Sequence, residues 1–233
     1  MKKTCLLVAL LFCWAAHGGA AGLVITADDM DFDMASSFGK AKGHVVIEDA
    51  AGRAVSDYAE YSSKQQTGFL QGNVVAERDG YRITAEKLYL HSSNHISAVG
   101  SACLQRDGRI LQAPQVDYLK NEGRLFTAAG RALLKDTDGS EIKADVISYL
   151  HGSGLAEANG AVEIQSEVRN LSAVADRAVY CTGGGDGYLE LIGNAKATQD
   201  GNTVRGQRLR LTNTKLAQLE GGVEIEYTPK EQA

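Results

Sequence analysis

Beyond the first 21 residues, apolar and polar positions alternate along almost the whole chain, and the alternation is organised in a unit that returns seven times. The first half of the unit is a small residue, then usually an acid or amide, then two alternating large residues. Examples are Ala27-Asp28-Asp29-Met30-Asp31-Phe32, Ser56-Asp57-Tyr58-Ala59-Glu60-Tyr61 and Ala144-Asp145-Val146-Ile147-Ser148-Tyr149. The second half is anchored by Gly43, Gly72, Gly100, Gly130, Gly160, Gly193 and Gly221, spaced 28 to 33 residues apart. Two and four residues after each glycine stand apolar residues: Val45 and Ile47, Val74 and Ala76, Ala102 and Leu104, Ala132 and Leu134, Val162 and Ile164, Ala195 and Ala197, Val223 and Ile225. The residues between them are mixed. A period of two with unlike faces is the signature of a strand with one buried side. A unit repeated at this spacing means one supersecondary element stacked on copies of itself.

Turn chemistry falls at the joints. Asp79-Gly80, Asp107-Gly108, Asp138-Gly139 and Asp200-Gly201 separate successive units and favour tight primed hairpin turns. Further turns are predicted near Ser92-Ser93-Asn94, Asn121-Glu122-Gly123 and Gly152-Ser153-Gly154. Each unit therefore supplies two antiparallel strands, about fourteen in all. The predicted fold is all-β: a single antiparallel β-jelly-roll or slit sandwich of two facing sheets, built from about seven two-strand repeats. A parallel β-helix is the competing architecture, but it gives no reason for regular Asp-Gly hairpins.

The segment Gly72-Asn73-Val74-Val75-Ala76-Glu77-Arg78-Asp79-Gly80-Tyr81-Arg82-Ile83-Thr84-Ala85-Glu86-Lys87-Leu88 resembles the OstA-like repeat of the lipopolysaccharide transport proteins, LptA-like and less closely LptC-like. Gly193-Asn194-Ala195 and Ala144-Asp145 echo the same pattern, and the resemblance runs over residues 25 to 227. It implies a slit β-jelly-roll in the Gram-negative periplasm that holds the acyl chains of lipid A and stacks end to end as a bridge between inner and outer membranes. It implies no catalytic residue and no cofactor. The alternative is an LptC-like adaptor, or a repeat scaffold that docks by its edges without carrying lipid. One departure is Thr182-Gly183-Gly184-Gly185-Asp186-Gly187, which lengthens the sixth repeat.

The proposed cargo has a physical requirement. Each CH2 exposed to water costs about 0.8 kcal/mol, so a 14-carbon chain costs on the order of 10 kcal/mol. A carrier needs an apolar track rather than a point site. The candidate lipid contacts are the interior columns Phe32, Val74, Ala98, Ala102, Leu104, Tyr118, Ala128, Ala132, Leu134, Tyr149, Ala158, Val162 and Ile164. Many are alanine, so facing sheets either close tightly there or admit a guest. Open sheet edges invite strand addition. Leu23, Val24 and Ile25 at one end, and Val223, Ile225 and Tyr227 at the other, are the expected partner edges. They predict contacts with other lipopolysaccharide transport proteins and head-to-tail homo-oligomers.

The ends and the charge fit export. Lys2 and Lys3, an apolar run from Cys5 to Ala16 and the small residues before Ala21 have the layout of a cleavable secretory signal at 1–21. The domain is expected at 22–228, with a tail at 229–233. Removing Lys2 and Lys3 leaves 22 basic against 29 acidic residues, a net charge near −7 with no basic block, which argues against nucleic acid. Cys103 and Cys181 lie three repeats apart, at least about 14 Å at strand spacing, too far for a disulfide.

The remaining candidate chemistry has structural explanations. His44, His91, His95 and His151 have no recurring metal-ligand spacing, and no metal is expected. Asp28, Asp57, Glu86, Asp145 and Asp176 repeat with the fold rather than converging as an acid/base pair. Gly183-Gly184-Gly185 lacks the helix and lysine of a phosphate loop. A carbohydrate-acting enzyme on a β-helix would need convergent acids on a groove; columns of Ala, Val and Leu do not supply them. The chain is read as a non-enzyme.

Overall fold

A computed structural model of the chain is all-β. The structure describes residues 24–50, 52–92, 94–119, 125–150, 153–181, 187–212 and 217–227. The signal segment, Leu23, His151, the turn at 121–123, the glycine run at 183–185 and the tail lie outside them. The strands are β1 (Val24–Thr26), β2 (Asp29–Asp33), β3 (Phe38–Asp49), β4 (Gly52–Ser62), β5 (Thr67–Arg78), β6 (Tyr81–Ser92), β7 (His95–Arg106) and β8 (Arg109–Leu119). They continue as β9 (Leu125–Lys135), β10 (Glu141–Leu150), β11 (Leu155–Ser166), β12 (Leu171–Cys181), β13 (Tyr188–Gln199), β14 (Asn202–Thr212), β15 (Ala217–Glu220) and β16 (Glu224–Glu226). Pairing follows chain order, with β2 beside β1 on β3 and β16 beside β15 on β14. The short terminal strands are thus one interrupted strand at each end, and the remaining twelve are the two-per-repeat strands that the alternation predicts.

The chain divides into two compact units. One contains residues up to Arg106 together with 115–120; the other contains 107–114 and everything from 121 onward. Strand β8 contributes to both.

Each interior strand is bent near its middle. Between Lys42 and Val45 the register of β3 on β4 slips, and equivalent slips recur in the other long-strand pairs whose register is known. In β3, β5, β7, β9, β11 and β13 two successive residues there have positive φ, as at Gly72 (79°) and Asn73 (48°). Such a bulge re-aims the strand and strengthens its twist. In the partner strand the buried parity switches: Ala54 and Ser56 are buried before the bulge of β4, Ala59 and Tyr61 after it. One strand therefore serves two apolar layers.

Contacts within each unit show the layers facing each other. In the first, Ile47 from one side of the bulges lines one gap with Leu70, Leu88, Leu90 and Ile96 from the other side. In the second, the Tyr180 hydroxyl donates across the interior to Asp136 Oδ2 (3.2 Å). The strands form one open 16-stranded antiparallel sheet rather than two separate sheets, consistent with the expected jelly-roll or slit sandwich, and within each unit its bent strands bring apolar layers face to face.

Three Asp-Gly joints are primed turns, with positive φ at both residues of 79–80, 107–108 and 200–201. Asp138-Gly139 differs. There Gly139 N–H donates to Asp136 O (3.1 Å) and Asp136 N–H to Ser140 O (2.9 Å). Only Gly139 of the pair has positive φ. This is the three-residue hairpin loop, a type I turn followed by a left-handed residue.

Candidate functional site: the interior and its open end

The repeat motif explains the bend. At Gly72 a β-carbon would overlap the Asp57 carboxylate and lie 2.9 Å from the Asp57 β-carbon. The same holds for Gly160 against Asp145 and Gly193 against Asp176. The acid fills the place of the missing side chain, and the residue after the glycine completes the corner. Asn73 Nδ2 donates to Asp57 Oδ2 (2.9 Å), and Asn194 Nδ2 donates to Asp176 Oδ2 (2.9 Å). His44 Nδ1 lies 2.8 Å from Asp28 Oδ2, a hydrogen bond that raises the imidazole pKa above its ordinary value. The fourth repeat substitutes Pro114, whose ring packs against Gly130. The recurring acids are corner pieces. Among the described residues no group of three histidines, cysteines or acids is placed to hold a metal ion.

Between the corners run the interior columns. Val74, Ala98, Ala102, Leu104, Tyr118, Ala128, Ala132, Leu134, Ala158, Val162 and Ile164 are all at most 8% exposed. Tyr149 is half-buried. Phe32 is 46% exposed, because β2 lies at the sheet edge and has a strand on one side only. Ala98 Cα faces Leu88 across β6–β7, and Ala128 faces Ile147 across β9–β10. The candidate contacts are therefore buried within each unit, apart from the half-buried Tyr149 and the exposed Phe32.

In the first unit the layers nearly meet. The gap lined by Ile47, Gly68, Phe69, Leu70, Leu88, Leu90 and Ile96 measures about 20 Å³, room for roughly one water molecule. Gly68, Phe69 and Leu90 also line a larger cleft of about 320 Å³ at the strand ends, with Phe38, Glu60, Tyr61, Ser62, Gln65, Thr67, Tyr89 and His91. The cleft, a mouth at the strand ends, thus shares three lining residues with the narrow gap.

A row of rings crosses the strands beside that mouth. Tyr58 and Phe69 centroids lie 5.8 Å apart, Phe69 and Tyr89 6.0 Å, Tyr89 and His91 6.0 Å, and His91 and His95 4.5 Å. Tyr58 donates a short hydrogen bond to Glu60 Oε1, and Lys40 Nζ lies 3.3 Å from the same oxygen. That hydrogen bond lowers the Glu60 pKa and pushes the Tyr58 phenol up to about 12. His91 Nε2 is 2.8 Å from Ser97 Oγ, which also binds Asp117. Burial, then the neighbouring His95, hold the His91 pKa below its ordinary value. The sequence reading did not single out Tyr58, Phe69 or Tyr89 as a set. The available signal was their parity: they are aromatic residues at positions pointing away from the buried columns.

In the second unit the interior ends in charge. Arg109 Nε donates to Asp136 Oδ1 (2.9 Å), and Tyr180 closes on the other carboxylate oxygen. Burial works to raise the Asp136 pKa, but Arg109, the Thr137 amide and Tyr180 outweigh it and hold it below its ordinary value.

At the edges, Val24 is 57% exposed, Ile225 63% and Tyr227 70%; Val223 is also exposed, and Ile25 is half-buried.

The family model described as "LptA/(LptD N-terminal domain) LPS transport protein" matches residues 54–216. The LPS-assembly protein LptD of Neisseria gonorrhoeae (strain ATCC 700825 / FA 1090) is 25% identical over 244 residues, which cover 96% of this chain and 29% of that protein. The chain thus spans under a third of that relative's length. A crystal structure of LptH, the LptA homologous periplasmic component of the lipopolysaccharide transport device of Pseudomonas aeruginosa, aligns at 14% identity and a TM-score of 0.23. That alignment covers 76% of this chain and 95% of LptH. The family match covers more than half of the sequence, and the chain belongs to the LptA/(LptD N-terminal domain) family of LPS transport proteins.

Proposed function

We propose that the chain is a periplasmic lipopolysaccharide-binding bridge component, which carries lipid A acyl chains between inner and outer membranes. One observation carries this reading: in each unit a row of small apolar side chains lines two facing layers, and among the described residues no disulfide ties them together. Alanine columns such as Ala98–Ala102 and Ala128–Ala132 leave little side-chain volume to fill the space. In the first unit the remaining gap is about 20 Å³, so a tail enters by parting the layers. Burial of about ten CH2 groups supplies on the order of 8 kcal/mol towards that separation.

The exposed edges support a second element of the reading. Val223, Ile225 and Tyr227 offer an unpaired strand edge to other transport proteins or to Val24 and Ile25 of a second copy. Ala128→Trp or Ala132→Trp tests the carrier. With the fold intact by circular dichroism, each is expected to block lipid crosslinking and export, because an indole fills the space of the tail. Unchanged export would contradict it.

A further inference from the structure

The cleft at the mouth of the first unit has a composition unlike the interior behind it. Its aromatic walls are Phe38, Phe69 and Tyr89, and its polar groups are Glu60, Gln65 and His91. At about 320 Å³ it lies at the small end of the range for ligand sites, roughly 300–1,000 Å³. Tyr58 and Lys40 both engage Glu60 Oε1, which leaves Oε2 to accept from a ligand hydroxyl. No lysine or arginine is among the described lining residues, and Glu60 repels anions, so a phosphate is a poor fit. Flat rings beside a carboxylate acceptor, an amide and an imidazole suit a polyol ring, which offers C–H faces to stack and hydroxyls to donate.

We propose that this cleft is a saccharide subsite that takes an uncharged pyranose, Tyr89 and Phe69 stacking on its face and Glu60 accepting from its hydroxyls. It rests on the acyl-carrier reading in one respect. Gly68, Phe69 and Leu90 line both the cleft and the narrow gap, so a glycolipid would seat its sugar in the cleft and its tail between the layers. The sugar end is then recognised as well as the tail.

The experiment uses the full mature chain with three probes: chitobiose, lauric acid and inorganic phosphate, followed by NMR shifts and calorimetry. Chitobiose is expected to shift Glu60, Phe69, Tyr89 and His91. Tyr89→Ala should weaken it about tenfold and Tyr89→Phe should not, since stacking is worth about 1 kcal/mol or more. Glu60→Gln, which keeps size and shape, should weaken it by about tenfold through loss of a charged acceptor. Chitobiose that leaves the cleft unshifted, that binds both weakened variants as well as wild type, or that is matched there by phosphate overturns the proposal. Lauric acid shifting Leu70 and Leu88 while chitobiose fails would sink the saccharide site alone. Chitobiose binding without any lauric acid response supports the saccharide site and sinks the acyl reading.

Discussion

The smallest unit with a clear cause is the corner where a glycine, its following residue and an acid from the next strand meet. Gly72→Ala forces a side chain into left-handed backbone and against Asp57. It should cost about 2 kcal/mol or more, lowering the melting temperature by roughly 4–8 °C. Ala161 holds a positive φ of 44° without the amide that Asn73 and Asn194 provide at the equivalent position. Ala161→Asn should stabilise by about 0.5–1 kcal/mol, through easier left-handed backbone and a new hydrogen bond to Asp145; thermal melts check both variants. The Arg109–Asp136–Tyr180 cluster gives a pH effect with a definite sign. A carboxyl whose folded pKa is depressed adds stability above its unfolded value, near about pH 4, and loses it as pH falls through the folded value. Asp136→Asn should therefore cost about 2 kcal/mol at neutral pH and flatten the decline below about pH 4, measured by denaturant titration across pH. The glycines, asparagines and acids of the corner were visible in the sequence as a spaced motif. Their contact was not, because it joins residues about sixteen apart across a strand pair.

At the scale of the element, the alternation was enough to place strand pairs, hairpin ends and the buried parity. It located the joints at 79–80, 107–108 and 200–201, where Asp-Gly fills both positive-φ positions of a two-residue turn, and the joint at 138–139, where the same pair closes a three-residue loop. It did not show that single strands pass between layers. A period of two reads the same through a bulge when the extra residue is absorbed by a glycine and the residue after it, as at Gly72-Asn73 in β5, where Leu70 and Val74 keep the same parity. Outward aromatics were equally hard to interpret. His91 and His95 flank a hairpin end, and it is the turn rather than helical spacing that sets their rings 4.5 Å apart. The edge strands carry a prediction of their own. Ile225→Lys puts a charge on an open edge, a device that blocks strand addition. On the head-to-tail reading it should reduce association with a second copy or with another transport protein about tenfold or more, read by crosslinking or light scattering. Association unaffected by the lysine would place the contact elsewhere.

For the whole molecule, family membership and the apolar interior converge on transport, and the physical claim is that hydrocarbon tails lie between the layers. That claim separates inward-facing from outward-facing positions of the strands. A photocrosslinking amino acid at Ala98 or Ala128, both buried in the columns, can be compared with one at Lys143 or Lys196, both exposed. In living cells, with lipid A detected in the adduct, the carrier account predicts crosslinks from Ala98 and Ala128 and none from Lys143 and Lys196. Equal yields from both sets, or adducts from the lysine positions alone, would contradict it.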